Sequence, residues 1–207
     1  MKKMNILAIG AHPDDIEFGC GGALVKYADR GHFLSVLVMT SGDHGGTAEI
    51  RENEQLDSNR IMGVKQIHWG GYQDTYLQVD HNVISNIEQV IGEVRPDFIF
   101  CHYPDDTHQD HRHLANAVVS ATRYIRNVLF YEGPTTQNFN PQIYVDISDT
   151  LERKLQALEA HRSQVDKTNI PNLTILELAR STANFRGIQG RVKYAEAFSS
   201  LRLFINI

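Results

Sequence analysis

A chain of 207 residues, 42% hydrophobic and 22% charged, has enough apolar material for a substantial core and carries no compositional sign of disorder. At this size on the order of 70% of the unfolded surface is buried on folding, so one domain spanning residues 1–207 is expected. The net charge of −5 and the pI near 6.0 leave no basic excess with which to hold nucleic acid or an anionic membrane.

The apolar run behind Met1-Lys2-Lys3 extends only from Met4 to Ala11 and meets no cleavage site, and no window approaches the roughly 18–20 apolar residues of a membrane span. Cys20 and Cys101, the only cysteines, are too few for a disulfide scaffold and are expected as reduced thiols. A cytoplasmic protein with no nucleic-acid partner is the expectation.

Short apolar runs alternate with helix-length segments along the whole chain. Strands are predicted at Met4–Ile9, Phe33–Met39, Gln66–Trp69, Asp97–Cys101, Val128–Tyr131 and Ile143–Val145. Helices are predicted near Ile16–Arg30, Ala48–Met62, Asn82–Val94, His111–Arg126, Asp149–His161 and Leu173–Ala183. Gly31 and Gly63 stand where left-handed cap residues belong, and Arg95-Pro96 closes a third helix. The alternation predicts an α/β protein, a Rossmann-like three-layer α/β/α sandwich with a mostly parallel sheet. Gly42–Thr47 reads as a flexible loop, and Ser163–Asn172 as a polar connector or flap. The apolar tail Leu201–Ile205 is expected either to form an edge strand or to pack on a second copy, which suggests a homo-oligomer.

Parallel sheets collect ligands at the carboxyl ends of their strands, and polar clusters stand at four such ends. They are His12, Asp14 and Asp15; Ser41, Asp43 and His44; the stretch from His102 to His111; and Tyr131 with Glu132. His12 and Asp15 are three apart at a helix start, and His108 and His111 repeat that spacing, so each pair presents donors to one side. Imidazoles with one carboxylate and an open position form the ligand set of a catalytic zinc, and the same set accommodates Fe(II).

The ordinary alternative for Asp14 and Asp15 is a helix cap, which accounts for one carboxylate and leaves His12 idle. Asp105 and Asp106 fit turn chemistry. His32, His68, His81 and His161 have no carboxylate company in the sequence and are predicted as surface or core fillers, while His44 and His102 lie nearer the site and the sequence does not decide their role. A nucleotide-binding module is the competing reading from another class. Neither phosphate-binding glycine fingerprint occurs, and Gly19, Gly21 and Gly22 fall inside a helical stretch.

Ala11-His12-Pro13-Asp14-Asp15-Ile16-Glu17, Arg51-x-x-Glu54 and His108-x-Asp110-His111 together resemble the signature of the zinc-dependent N-acetylglucosaminyl deacetylases, the LmbE or PIG-L-like family. The resemblance continues through Arg186-Gly187-Ile188-Gln189 and Val192–Phe198, where it is most similar to the bacterial branch containing the bacillithiol-pathway enzymes. One departure is Ile16, which stands between the paired aspartates and Glu17, so Glu17 carries no implied role.

The resemblance implies that His12, Asp15 and His111 hold zinc and that Asp14 is the general base; spacing alone does not separate Asp14 from Asp15. It further implies that His108 stabilises the oxyanion, oriented by Asp110. Arg51 would bind a substrate hydroxyl, phosphate or carboxylate, against the plainer reading of an exposed Arg51–Glu54 pair worth about 0.2–0.5 kcal/mol. Tyr194, placed in a C-terminal amphipathic helix, is a candidate pocket residue. The implied reaction removes an acetyl group from an N-acetylated amino sugar, releasing acetate and a free amine; an amidase acting on another acylated or thiol-conjugate substrate is the alternative. What the sugar carries is left open, although Glu132–Asn140, expected beside the pocket, has no basic residue for a diphosphate.

Overall fold

The structure is a computed structural model and describes residues 3–205; the Met1-Lys2 part of the charged N-terminus lies outside the described residues. In chain order the elements are β1 (Asn5–Gly10), α1 (Asp15–Asp29), β2 (Phe33–Thr40), α2 (Ala48–Met62), β3 (Gln66–Tyr72), α3 (His81–Val94), β4 (Phe98–His102), α4 (Gln109–Ala121), β5 (Val128–Tyr131), β6 (Ile143–Asp146), α5 (Leu151–Glu159), α6 (Ile175–Gly190) and β7 (Ala195–Arg202). The sheet order is β3-β2-β1-β4-β5-β7-β6. The first five of these strands run parallel, and β7 is antiparallel to both of its neighbours.

Alternation along the strands feeds two cores, one on each face of the sheet. Leu7 and Ile9 of β1 pack with Val83, Ile87, Val90 and Val94 of α3 and with Leu114 and Val118 of α4. Ile6 and Ala8 turn the other way, toward Ile16, Cys20 and Leu24 of α1 and Met62 of α2. A third cluster joins Phe18 to Leu151, Leu155 and Leu158 of α5 and to Ala179 and Ala183 of α6. Both cysteines are buried free thiols. Helix ends follow the expected chemistry: Gly63 (φ 80°) and Arg95 (φ 50°) are left-handed caps of α2 and α3. Gly19 is required by close approach, since a Cβ there would lie 2.1 Å from the Tyr131 ring.

The C-terminal segment departs from the prediction. Ala195–Arg202 is a strand inserted between β5 and β6, so neither a helix at Tyr194 nor an edge strand in the tail is found; β6 is the edge. Ala and Glu read locally as helix formers, yet Glu196 is 4% exposed and bound from three directions. Its carboxylate accepts from the backbone N–H groups of Gly22 (2.8 Å) and Ala23 (2.7 Å) and from Lys154 Nζ (2.6 Å), while Lys154 also donates to the Phe18 carbonyl (2.6 Å). A carboxylate and an ammonium from elsewhere in the chain thus bond backbone groups in the middle of α1. α6 also runs further than predicted, to Gly190, opened by a Thr174–Glu177 capping box.

Strand order reverses at β1, which lies between β2 and β4. The crevice beyond the carboxyl ends of β1 and β4 is where such a sheet binds ligands. His12–Asp15 leave β1 there, and His102 ends β4 there.

Candidate metal centre

The turn after β1 is built from strained backbone. Asp14 has φ 93°, a left-handed conformation that costs a residue other than glycine on the order of 1–3 kcal/mol. It occupies the N-cap position of α1 but makes no side-chain cap bond, so its carboxylate is left to the cavity. Arg51 holds the turn: its guanidinium donates to the carbonyls of Pro13 (2.6 Å) and Gly42 (2.7 Å) and meets Asp14 Oδ2 at 3.2 Å. Behind it, Gln55 Oε1 accepts from Asp14 N at 3.4 Å, and Gln55 Nε2 donates to Glu17 Oε1 at 2.7 Å. Burial, with the neighbouring Asp15 charge adding to it against Arg51, pushes the Asp14 carboxyl up to about 6.

Asp15 lies between two imidazoles. Its Oδ2 is 3.3 Å from His12 Nδ1, and its Oδ1 is 3.3 Å from His111 Nε2. It also accepts from the His12 backbone N–H at 2.7 Å. Each imidazole is backed by acid on its other nitrogen: His111 Nδ1 by Asp106 Oδ2 (3.3 Å), His12 Nε2 by Asp74 Oδ1 (3.0 Å) and Asp110 Oδ2 (3.2 Å). Burial disfavours the charged form of His111, but the Asp15 and Asp106 carboxylates outweigh it and hold the ring up at about 9. His102 is stacked on His111 and reaches Asp15 Oδ2 at 3.1 Å. Its complete burial, with the charge of His111, takes it down to about 4.

Three donor sets converge to within 4.8 Å: His12, His108 and His111; Asp15, His102 and His111; and His12, Asp74 and Asp110. An imidazole with one nitrogen toward a shared carboxylate and the other backed by acid is the arrangement that orients metal ligands. None of the three sets holds His12, Asp15 and His111 together; those three meet pairwise through Asp15, at 3.3 Å to each ring, and their imidazole and carboxylate donors have the chemistry of a divalent-metal site.

Several residues do something other than the sequence implied. The Asp110 carboxylate does not orient His108; it bonds Thr75 N (2.8 Å) and His12, because α4 begins at Gln109 and turns that side chain back toward β1. The Asp110 backbone N–H instead donates to His108 Nδ1 (3.2 Å), making His108 the N-cap of α4. Accepting at Nδ1 leaves the neutral ring proton on Nε2. Tyr194 packs against the cluster under α5 and α6 and is not among the residues lining the cavity. The surface reading of Arg51 and Glu54 also falls: Arg51 is 5% exposed, and Glu54 accepts from Ser163 N and Oγ.

Asp106 is no simple turn residue, since it accepts from His108 N, Thr135 Oγ1 and Thr136 Oγ1 as well as backing His111. His161 is no filler either. It is 1% exposed and lies 3.4 Å from Glu17, which Gln55 and Ser58 also bond. Asp74 was invisible as a motif member; its one sequence signal is its place just past β3, a fifth strand end. The polar connector after α5 contributes Gln164 and residues 167–170 to a cavity of about 490 Å³ that also exposes His12, Asp14, Asp15 and His111.

An open, mostly parallel sheet with histidine and carboxylate donors gathered at its switch point defines an α/β protein with a candidate metal site. Comparison with known proteins makes this specific: residues 7–122 match the family described as PIG-L: GlcNAc-PI de-N-acetylase, and the chain belongs to that family. It is similar to the uncharacterized deacetylase YaiS of Escherichia coli, 36% identical over 171 residues covering 78% of this chain and 92% of that protein. It is 32% identical over 190 residues to the diacetylchitobiose deacetylase of Thermococcus kodakarensis, covering 77% and 69%. The conserved protein TT1542 from Thermus thermophilus superposes with a TM-score of 0.88 at 28% identity, covering 99% of this chain and 97% of that one. Among the described residues no helix is long and apolar enough to cross a membrane.

Proposed function

We propose that the chain is a zinc-dependent N-deacetylase that hydrolyses the acetamide of an N-acetylglucosamine moiety, releasing acetate and a free amine. One observation carries the reading: the Asp15 carboxylate spans His12 and His111 at 3.3 Å each, with Asp14 next to it and free of any cap bond. The relatives named as deacetylases support the same chemistry.

In this assignment His12, Asp15 and His111 hold the zinc, which when bound supplies water with a pKa near 7 in place of about 15.7. Asp14 would take a proton from the attacking water, and Arg51 keeps the strained turn aimed into the cavity. His108 Nε2–H donates to the carbonyl oxygen as negative charge gathers there. Asp14 then returns its proton to the departing amine, so the C–N bond breaks with the nitrogen neutral. Asp110 serves through His12, whose Nε2 it backs, and Arg51 also stands on the cavity wall within reach of a substrate hydroxyl.

The test is free-amine and acetate release from N-acetylglucosamine compounds by purified protein, together with elemental analysis. Asp14→Asn is expected to keep about one zinc and lose hydrolysis, and His111→Ala to lose the metal. An Asp14→Asn protein that holds zinc and turns over at the wild-type rate overturns the base assignment.

A further inference from the structure

The 490 Å³ cavity is two surfaces in one. Such a volume lies in the range of about 300–1,000 Å³ that takes ligands of drug size, so a bare amino sugar leaves part of it unfilled. Its polar part is the metal centre with Asp14, Asp74 and His108. Another part of its wall is apolar: Phe18 from α1, Pro134 after β5, Ile170 from the connector, and Ile175 and Leu178 from α6. Ile175 and Leu178 are three apart and so share one helical face. Ile170 is 56% exposed at the end of the connector, a large apolar side chain left bare at the edge of the cavity.

The charges along the same wall weigh against an anionic substituent. The lining carries two lysine or arginine side chains, Arg51 and Lys167. Arg51 is committed to the carbonyls of Pro13 and Gly42 and to Asp14, and the Lys167 ammonium is bonded to the Gly45 carbonyl. Three carboxylates, those of Asp14, Asp15 and Asp74, line the cavity against them. A phosphate or carboxylate binds best where guanidinium or ammonium groups are free to pair with it; here both terminal nitrogens of Arg51 are bonded within the protein, and Lys167 spends one of its three donors on Gly45. Gly133, Pro134 and Thr135 add a wall without a cation.

We propose that the substrate carries, beyond the amino sugar, an uncharged apolar group, alkyl or aryl, which packs on Phe18, Ile170, Ile175 and Leu178. The inference rests on the deacetylase reading for the sugar end and adds the chemical class of the other end.

The test is kcat/KM for amine release from the methyl, propyl and hexyl glycosides of N-acetylglucosamine, with malate-linked and UDP-linked N-acetylglucosamine as anionic arms. Values are expected to rise about fourfold per methylene over the first few that become buried, and both anionic conjugates are expected to fall below the methyl glycoside. Ile170→Asp, on an exposed loop position where folding is not at stake, is expected to cut the hexyl-to-methyl ratio at least fivefold; Leu178→Asn should do the same. A flat alkyl series, or an anionic conjugate that outpaces the methyl glycoside, overturns the proposal. Calorimetric binding of hexyl and methyl glucosaminide needs no turnover and separates the two readings. Tighter hexyl binding that Ile170→Asp abolishes upholds the apolar subsite even if every amide is left intact; equal binding of the two removes it.

Discussion

Replacing Asp106 by asparagine removes a charge from behind His111 while keeping the side-chain volume. Asp106 is 2% exposed, and its two oxygens are fully engaged: Oδ1 by His108 N (2.8 Å) and Thr135 Oγ1 (2.6 Å), Oδ2 by Thr136 Oγ1 (2.9 Å) and His111 Nδ1 (3.3 Å). An amide has one acceptor oxygen, so its NH₂ must face part of this ring of partners. The threonine hydroxyls can rotate and accept, which limits the folding loss to about 1–3 kcal/mol. For a chain of this length that is about 2–4 °C in Tm per kcal/mol.

The larger effect falls on the metal. With a metal bound, Asp106 would hold the His111 proton on Nδ1 and leave the Nε2 lone pair to the ion, and support of that kind is worth about 10–100-fold in metal affinity. At 1.36 kcal/mol per factor of ten this is about 1.4–2.7 kcal/mol. Competition for zinc against a chromophoric chelator measures it directly, and Tm recorded in excess chelator isolates the folding part. Wild-type zinc affinity in a folded Asp106→Asn protein would refute the argument that this carboxylate orients His111.

Three further outcomes follow from the same contacts. Lys154→Met strands the buried Glu196 carboxylate, a loss of about 3–5 kcal/mol, and at 2–4 °C per kcal/mol should lower Tm by about 6–20 °C; an unchanged melting curve refutes the role given to the pair. Asp14→Gly relieves the left-handed strain at φ 93°, so Tm should rise by about 2–4 °C, for about 1 kcal/mol, while amine release is lost; a lower Tm would show that the turn is not strained in the folded chain. Zinc added to chelator-treated protein at a hundred times its Kd should stabilise by about 2.7 kcal/mol, a shift of about 5–11 °C that His111→Ala abolishes.

What the sequence made legible was local. Apolar runs such as Ile6–Ile9 and the paired spacings His12/Asp15 and His108/His111 carry their meaning within a few residues, so the parallel strands and the two half-sites could be placed before any fold was known. What escaped depended on distance along the chain. Glu196 looks like a helix former until Lys154, 42 residues away, and the α1 amides claim its carboxylate. His161 acquires its partner from Glu17, and Asp74 reaches His12 across the tops of the strands.

The two kinds of residue also divide by job. The groups found by spacing face the cavity, where a reaction needs them in a fixed local pattern. Asp106, Asp74 and Asp110 set which nitrogen of each histidine is free, and any part of the fold that brings a carboxylate to the right atom can do that. The support for the site therefore has no motif of its own, and Asp110 shows the consequence. Its position between His108 and His111 suggested a partnership with His108, but the first turn of α4 delivers its carboxylate to His12, 98 residues earlier in the chain.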